Sequence, residues 1–166
     1  MTAESLAAKL RQIKGLDVRE SDYAKTRCTL DVVAEKEAVR DFALAVREAG
    51  YLIESVTGVD ANPMMVVYHF TNIHEVSRVT GKVLVDREDK NCPTIEDIYP
   101  GANWHERETR DFFGITFTGH PDMTPLILPE EETDFHPLLK GEGKLKNLGE
   151  LLERFAAPKK EAEVSE

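Results

Sequence analysis

Three strand-like stretches decide the fold of this chain: YLIESVTGV at residues 51–59, MMVVYHF at residues 64–70 and SRVTGKVLVD at residues 77–86. The middle stretch is apolar on both faces of a strand, since alternate residues point to opposite sides, and this predicts an interior strand of a sheet. The third stretch alternates apolar or small residues with polar ones, as a half-buried strand does. The gaps between the stretches are short, and Asn62-Pro63 marks a turn, so we expect antiparallel neighbours.

Two amphipathic helices and a further strand precede these stretches. Residues 4–14 and 35–49 carry apolar side chains at helical spacing. Residues 27–33 alternate between apolar and polar, which predicts a half-buried strand with Cys28 as a small core residue. We therefore expect residues 1–100 to form an α+β core domain, a two-layer sandwich with helices on one face of a mostly antiparallel sheet.

The chain changes character in residues 101–140. Residues 104–113 predict a helix that is capped by Asn103 and ended by Gly114. Residues 115–139 contain four prolines and no helical period, which predicts an extended C-terminal segment, here named the arm.

The last part of the chain, residues 141–166, regains a helical pattern. Apolar residues recur at helical spacing over residues 144–156 and predict an amphipathic helix. The charged residues beyond it predict a frayed tail.

Composition narrows the classes of function. The chain has 166 residues, of which 31 are acidic and 21 basic, and its formal net charge is −10. Nucleic-acid binding needs a positive surface, so this charge argues against it, and an anionic membrane would repel the chain. No apolar run reaches the roughly 18 residues that a bilayer span needs, which predicts no direct membrane insertion. Cys28 and Cys92 are isolated, which argues against disulfides and cysteine-held clusters.

Catalytic templates do not match the sequence. It contains no nucleophile elbow, phosphate-binding loop, dinucleotide fingerprint or paired-histidine zinc motif. Glu106 lies four residues before Arg110, and Arg107 lies four before Asp111, so the helix predicts two ion pairs at i,i+4 spacing. Such pairs keep carboxylates ionised, which argues against a glycosidase-type proton donor.

A metal site is the competing hypothesis, in the form of a small stand-alone metalloenzyme. His105, His120 and His136 all lie in the second half of the chain, near three acidic residues that are also metal-ligand types. The acids are Asp111, Asp122 and Asp134. The spacings match no ligand frame, which favours carbonyl-bonded or partner-contacting histidines.

The charge pattern of the arm suggests a protein partner. From Asp111 to Leu139 there is no Lys or Arg, six acids are present, and large apolar residues recur throughout. Such a segment either covers its own domain or docks on another protein, and proline stiffening favours docking because it lowers the ordering entropy. A free-standing acidic adaptor is a further alternative.

A long stretch resembles a known family. WHERETRDFFGITFTGHPDM, residues 104–123, is similar to the signature of the thirty-kilodalton subunit of respiratory complex I, the C subunit of NADH:quinone dehydrogenase. Pro129-Glu130 and residues 136–138 (HPL) resemble later elements of the same family. The resemblance extends over residues 52–138.

This resemblance implies a peripheral-arm subunit that has no catalytic site, cofactor or metal of its own. It would dock the hydrogenase-large-subunit-like D subunit, which helps form the quinone site, on the cytoplasmic side of the cell membrane. Iron–sulfur clusters, flavin or a nickel–iron site would lie in neighbouring subunits, including the iron–sulfur subunits of the complex. The alternative is the equivalent subunit of an energy-converting membrane-bound nickel–iron hydrogenase or formate hydrogenlyase.

The family motif also implies a set of interface residues. Four polar side chains, Glu106, Arg107, Glu108 and Asp111, are expected to orient the helix and the arm. The remaining expected interface residues are Trp104, Phe117, His120, Pro121, Asp122, His136 and Pro137.

Two departures from the motif remove positive charge. Thr124-Pro125 stands where the family has a basic pair, and Leu139-Lys140-Gly141 replaces a basic run after HPL. The surface of the partner should differ accordingly, and the sequence leaves open to which complex the chain belongs.

Overall fold

A computed structural model describes residues 2–131, 135–140 and 146–147 of the chain. The elements follow in the order α1 (Ala3–Leu10), β1 (Leu16–Glu20), α2 (Tyr23–Thr26), β2 (Leu30–Ala34), a 3-10 turn (Lys36–Ala38), α3 (Val39–Glu48), β3 (Tyr51–Val59), β4 (Ala61–Asn62), β5 (Met64–Asn72), β6 (Ser77–Val85), β7 (Asn91–Pro93), α4 (Ala102–Phe113), β8 (Thr116–Thr118) and β9 (Lys146–Asn147).

A five-stranded sheet with the strand order β1-β2-β6-β5-β3 forms the centre of the molecule. Strand β5 lies between β6 and β3 and is antiparallel to both, as its apolar faces predict. Strands β2 and β6 are parallel, which agrees with a mostly antiparallel sheet, because the short gaps in the sequence concern only the three later strands. They are not consecutive in sequence, and α3, β3 and β5 lie between them, so the gap lengths carry no information on this pair.

Helices pack on one face of this sheet and close the main core. The Phe42 ring of α3 lies over Gly81, and the Phe113 ring of α4 lies over Gly58, two positions where a Cβ atom would clash with the ring. Gly58 pairs with Val66 of β5, and Gly81 pairs with Tyr68, which lies two residues further along β5. Residues two apart on a strand point to the same side, so both glycines lie on the same face of the sheet. The expected α+β sandwich is therefore confirmed.

Several element boundaries differ from the sequence expectations. The edge strand β1 and the short helix α2 were not predicted, because residues 16–26 carry no clear apolar period. Helix α4 begins at Ala102 after Gly101, and no side chain caps it, so the cap predicted at Asn103 is wrong.

Short strands attach the second half of the chain to the core domain. Strand β7 pairs in parallel with β8, the first part of the arm, and Thr94 N donates a 3.0 Å hydrogen bond to Thr118 O. Strand β9 pairs with β4 where the sequence predicts helix, because the β4 edge offers its backbone groups partners. The rest of that predicted helix and the tail lie outside the described residues.

Candidate partner-binding surface

Helix α4 has one buried side and one outer side. Ala102, Glu106, Thr109 and Phe113 are buried, at spacings of four, three and four residues that follow a single helical stripe. Trp104 lies outside this stripe, and 69% of it is exposed. The helix thus anchors itself on β3 and presents its indole to solvent.

Glu106 is a buried carboxylate with hydrogen bonds to the turn before the helix. Its Oε1 accepts the Ile95 N–H at 2.9 Å, and its Oε2 accepts the Thr94 hydroxyl. Burial raises the pKa of Glu106 to about 7, although both of these hydrogen bonds act to lower it. The predicted ion pair with Arg110 is wrong, because Glu106 belongs to the inward stripe and the guanidinium does not reach it.

Asp111 accepts hydrogen bonds from three consecutive backbone amides of the arm. Its Oδ2 accepts the N–H groups of Leu126, Ile127 and Leu128 at 2.9, 2.8 and 3.2 Å. Burial alone would raise the pKa of Asp111, but these donors and the adjacent Arg110 outweigh it and hold the pKa below its ordinary value. The carboxylate therefore binds the arm to the end of α4 as an ionised group.

Arg107 holds the preceding turn of the arm. Its Nε donates to Thr124 O at 3.0 Å, and one terminal nitrogen donates to Thr124 Oγ1 and Pro125 O, both at 3.1 Å. Asp122 lies 3.8 Å from the guanidinium and accepts the Thr124 N–H and hydroxyl. The predicted pair of Arg107 with Asp111 is wrong, because each side chain binds a different part of the arm.

His120 links the start of α4 to the arm. Its Nε2 lies 3.3 Å from Asn103 O, and its Nδ1 accepts the Asp122 N–H at 3.1 Å. A neutral imidazole with its proton on Nε2 satisfies both hydrogen bonds. Glu106 Oε2 lies 3.9 Å from the same Nε2.

The far end of the arm returns to the C-terminus of α4. His136 Nδ1 lies 2.9 Å from Asp111 O, and the ring covers Gly114, whose φ of 70° ends the helix. Leu138 N donates to Phe112 O at 3.2 Å.

The three histidines of the metal hypothesis lie in separate environments. His105 is 3.9 Å from Glu108, His120 is beside Asn103, and His136 is beside Gly114. Over residues 2–131 and 135–140, no group of three or more His, Cys, Asp or Glu side chains could hold a metal ion.

Large apolar side chains stay exposed along the outer surface of α4 and the arm. Met123 and Leu139 pack against the core, whereas the exposed fractions of Ile127, Phe135 and Leu138 are 55%, 55% and 51%. An open groove of about 680 Å³ lies between the start of α4 and the arm, next to Trp104. The arm thus contacts its own domain and also leaves an apolar outer surface.

The expected interface residues divide into two groups in the structure. Glu106, Asp111 and Phe117 are buried, so these three side chains can support a surface but do not form one. His120 is partly exposed as a residue, but its side chain is enclosed. The other seven residues are at least partly exposed: Trp104, Arg107, Glu108, Pro121, Asp122, His136 and Pro137. Neither Thr94 nor Ile127 was expected from the sequence to be a site residue, since neither belongs to a periodic segment.

No helix in the described part of the chain combines the length and the apolar character that crossing a membrane requires.

Comparisons with known proteins agree with the resemblance seen in the sequence. A family model described as the respiratory-chain NADH dehydrogenase 30 Kd subunit matches residues 32–144. The NADH-quinone oxidoreductase C subunit of a Roseiflexus species is 39% identical over 125 residues, which cover 70% of this chain and 71% of that one. The NADH-quinone oxidoreductase C/D subunit of Psychrobacter arcticus is 43% identical over 83 residues, which are 50% of this chain and 14% of the longer protein.

A solved structure shares the fold. A chain of the membrane-bound sulfane sulfur reductase, an archaeal respiratory membrane complex, superposes with a TM-score of 0.69 and 24% identity, over 96% of this chain and 94% of that one. The family resemblance of residues 52–138 is confirmed by the longer match of the family model. The chain belongs to the respiratory-chain NADH dehydrogenase 30-kilodalton subunit family, as the C subunit of a complex I-like complex.

Proposed function

We propose that this chain is a non-catalytic peripheral-arm subunit that docks the hydrogenase-like D subunit and so supports electron transfer to quinone, coupled to ion translocation. The fused relative supports this partner, because a segment similar to this chain is there part of a single polypeptide named as a C/D subunit. Two domains that are covalently joined in one relative commonly associate as separate chains in another.

The observation that carries the proposal is the outer surface of α4 and the arm. Trp104, Ile127, Phe135 and Leu138 are each more than half exposed, although Asp111 holds the Ile127 amide and Phe112 O accepts the Leu138 amide. Complete burial of a large apolar side chain contributes about 1.5–3 kcal/mol, so burying the exposed half of each of these contributes about half of that. A preordered arm loses little conformational entropy on docking, so less of that gain is offset by ordering the segment.

The state of Glu106 supports a structural role for α4. A carboxyl with a pKa of about 7 is a suitable proton donor at neutral pH. However, Glu106 is fully buried, and each of its oxygens already accepts a hydrogen bond from the Thr94–Ile95 turn. It fastens the helix to the Thr94–Ile95 turn and is not among the residues that line the groove beside Trp104.

The remaining features of the proposal follow the relatives. Their names give NADH-quinone oxidoreductase as the complex, which favours NADH and quinone over a nickel–iron hydrogenase as the electron partners. In this proposal the iron–sulfur clusters and flavin lie in neighbouring subunits, and the chain is peripheral to the cytoplasmic side of the membrane.

Copurification with the D subunit tests the proposal. The two full-length chains from the same organism are coexpressed, and their affinity is measured by titration calorimetry. Trp104→Ala should weaken binding by about 30-fold, as expected for a central tryptophan of an interface. Leu44→Ala is the matched control, because Leu44 is an exposed apolar residue of α3 that does not line the groove beside Trp104. The proposal is wrong if the two chains do not associate, or if both variants bind like the unchanged chain.

A further inference from the structure

We propose that the groove beside Trp104 binds an arginine-bearing segment of the D-subunit partner, with the guanidinium stacked on the indole and paired with Glu96 and Glu108. The inference rests on the proposed function, and it specifies the chemistry of the contact. It assigns the specificity of docking to one groove, whereas the rest of the surface supplies apolar area.

The groove has the size and lining of a binding cleft. Its volume of about 680 Å³ lies within the range of about 300–1,000 Å³ that is usual for ligand pockets. Apolar walls come from Trp104, Leu126 and Ile127, and carboxylates come from Glu96 and Glu108. The wall on the arm side is fixed by Asp111, which holds the Leu126 and Ile127 amides.

The charges of the groove are one-sided. Over residues 2–131 and 135–140, no Lys or Arg forms a salt bridge with Glu96 or Glu108, and the nearest basic atom to Glu108 is His105 Nδ1 at 3.9 Å. The neighbouring Asp97 is different, because Arg40 binds both of its oxygens at 2.7 Å. Two carboxylates beside an apolar wall form a site that favours a cation from another chain.

Arginine suits this arrangement better than lysine. The indole of Trp104 is largely exposed, and a tryptophan face is the strongest aromatic acceptor for a cation. A planar guanidinium can stack flat on that face while its edge donates hydrogen bonds to two carboxylates, whereas an ammonium is a compact and strongly hydrated point charge that covers less of the ring. A short apolar neighbour in the partner segment would then contact Ile127.

The first test uses the binary complex of the full chains. Trp104 is the single tryptophan of this chain, so a D subunit with phenylalanine at its own tryptophan positions leaves indole emission as a reporter of the groove. Complex formation should shift this emission, and Glu96→Gln with Glu108→Gln should weaken binding about tenfold. Glu130→Gln with Glu131→Gln is the matched control, since these two acids are exposed on the arm outside the groove.

The second test identifies the cation by a double-mutant cycle. Each arginine of the D subunit is changed to glutamine, and its effect is measured against both the unchanged chain and the Glu96–Glu108 variant. One arginine should lower the affinity for the unchanged chain about tenfold and have little effect on the variant. The inference is overturned if the chains bind but the emission does not shift, or if every arginine acts equally on both forms. Failure of the chains to bind at all would instead refute the proposed function.

Discussion

Replacing Asp111 by alanine should release residues 126–128 of the arm from α4 while the sheet stays folded. The carboxylate Oδ2 accepts three arm amides at 2.8–3.2 Å, and within the described residues these are the hydrogen bonds that the three amides donate. Asp111→Asn keeps one carbonyl oxygen in place and removes the charge. The two variants therefore separate the loss of the acceptor from the loss of the charge.

The magnitude follows from the hydrogen bonds. A hydrogen bond to a charged group contributes about 1.5–3 kcal/mol, but three donors here share one oxygen and are rehydrated when the arm lifts. We expect Asp111→Ala to lower the free energy of arm opening by about 3 kcal/mol, and Asp111→Asn by about half of that. These values correspond to roughly 150-fold and tenfold faster exchange of the amides at Leu126, Ile127 and Leu128.

The same hydrogen bonds predict a pH dependence. The pKa of Asp111 is lower in the folded chain than its ordinary value, so the stabilisation is fully present above the unfolded pKa of about 4. It is lost as the pH falls through the folded pKa. Protection of the three amides should therefore weaken in acid for the unchanged chain and stay nearly constant for Asp111→Asn.

Hydrogen exchange resolved by residue measures both effects. Glu130→Gln is the control, because it removes an exposed acid of the arm for which the structure shows no hydrogen bond. Amide protection at residues 126–128 within threefold of the unchanged chain in Asp111→Ala would refute the reasoning. An equal loss of protection in strand β5 would also refute it, since Asp111 would then stabilise the whole fold and not the arm.

Two further substitutions test how the arm and α4 are held, both by urea unfolding. Gly114→Ala should lower the free energy of unfolding by about 3 kcal/mol, because φ is 70° and a Cβ would lie 2.7 Å from the His136 ring. Gly50→Ala is the control, since Gly50 has a φ of 88° but open space around it, and it should lower the free energy by about 1 kcal/mol. Equal losses in the two variants would contradict the role of the His136 contact. The pKa of Glu106 is raised to about 7, so ionisation of this group lowers the stability of the fold as the pH rises from about 4.5 through 7. Glu106→Gln should remove up to about 3 kcal/mol of this decrease between pH 5 and pH 8. A parallel pH dependence of the two proteins would contradict this prediction.

The elements that were predicted correctly are those in which buried residues recur at the regular spacing of a strand or a helix. Residues 64–70 are apolar on both faces, and they form the strand β5 between β6 and β3. Gly114 follows a helical stripe, and it ends α4 with a positive φ. In both cases the side chains that face the core follow the period of the element, so the pattern can be read without tertiary information.

The features that the sequence missed depend on partners far along the chain. Glu106 lies on the same stripe as Ala102 and Phe113, but acidic residues are seldom fully buried, so its charge suggested a solvent-exposed ion pair. Its burial is tolerated because Thr94 and Ile95 donate hydrogen bonds to it. The three amides that Asp111 binds lie 15–17 residues away in an aperiodic segment, where no spacing rule applies.

The sequence posed a choice between an arm that covers its own domain and an arm that docks on a partner. In the structure the polar backbone groups and the large apolar side chains of this segment have different surroundings. Asp111 accepts the amides of Leu126, Ile127 and Leu128, and Arg107 donates to two carbonyls of the arm, so these backbone groups are satisfied within the chain. Ile127, in the middle of the arm, and Leu138, near its end, keep more than half of their area exposed. A cover that served only the monomer would bury such side chains, whereas a fixed backbone with exposed apolar side chains is the arrangement that favours docking.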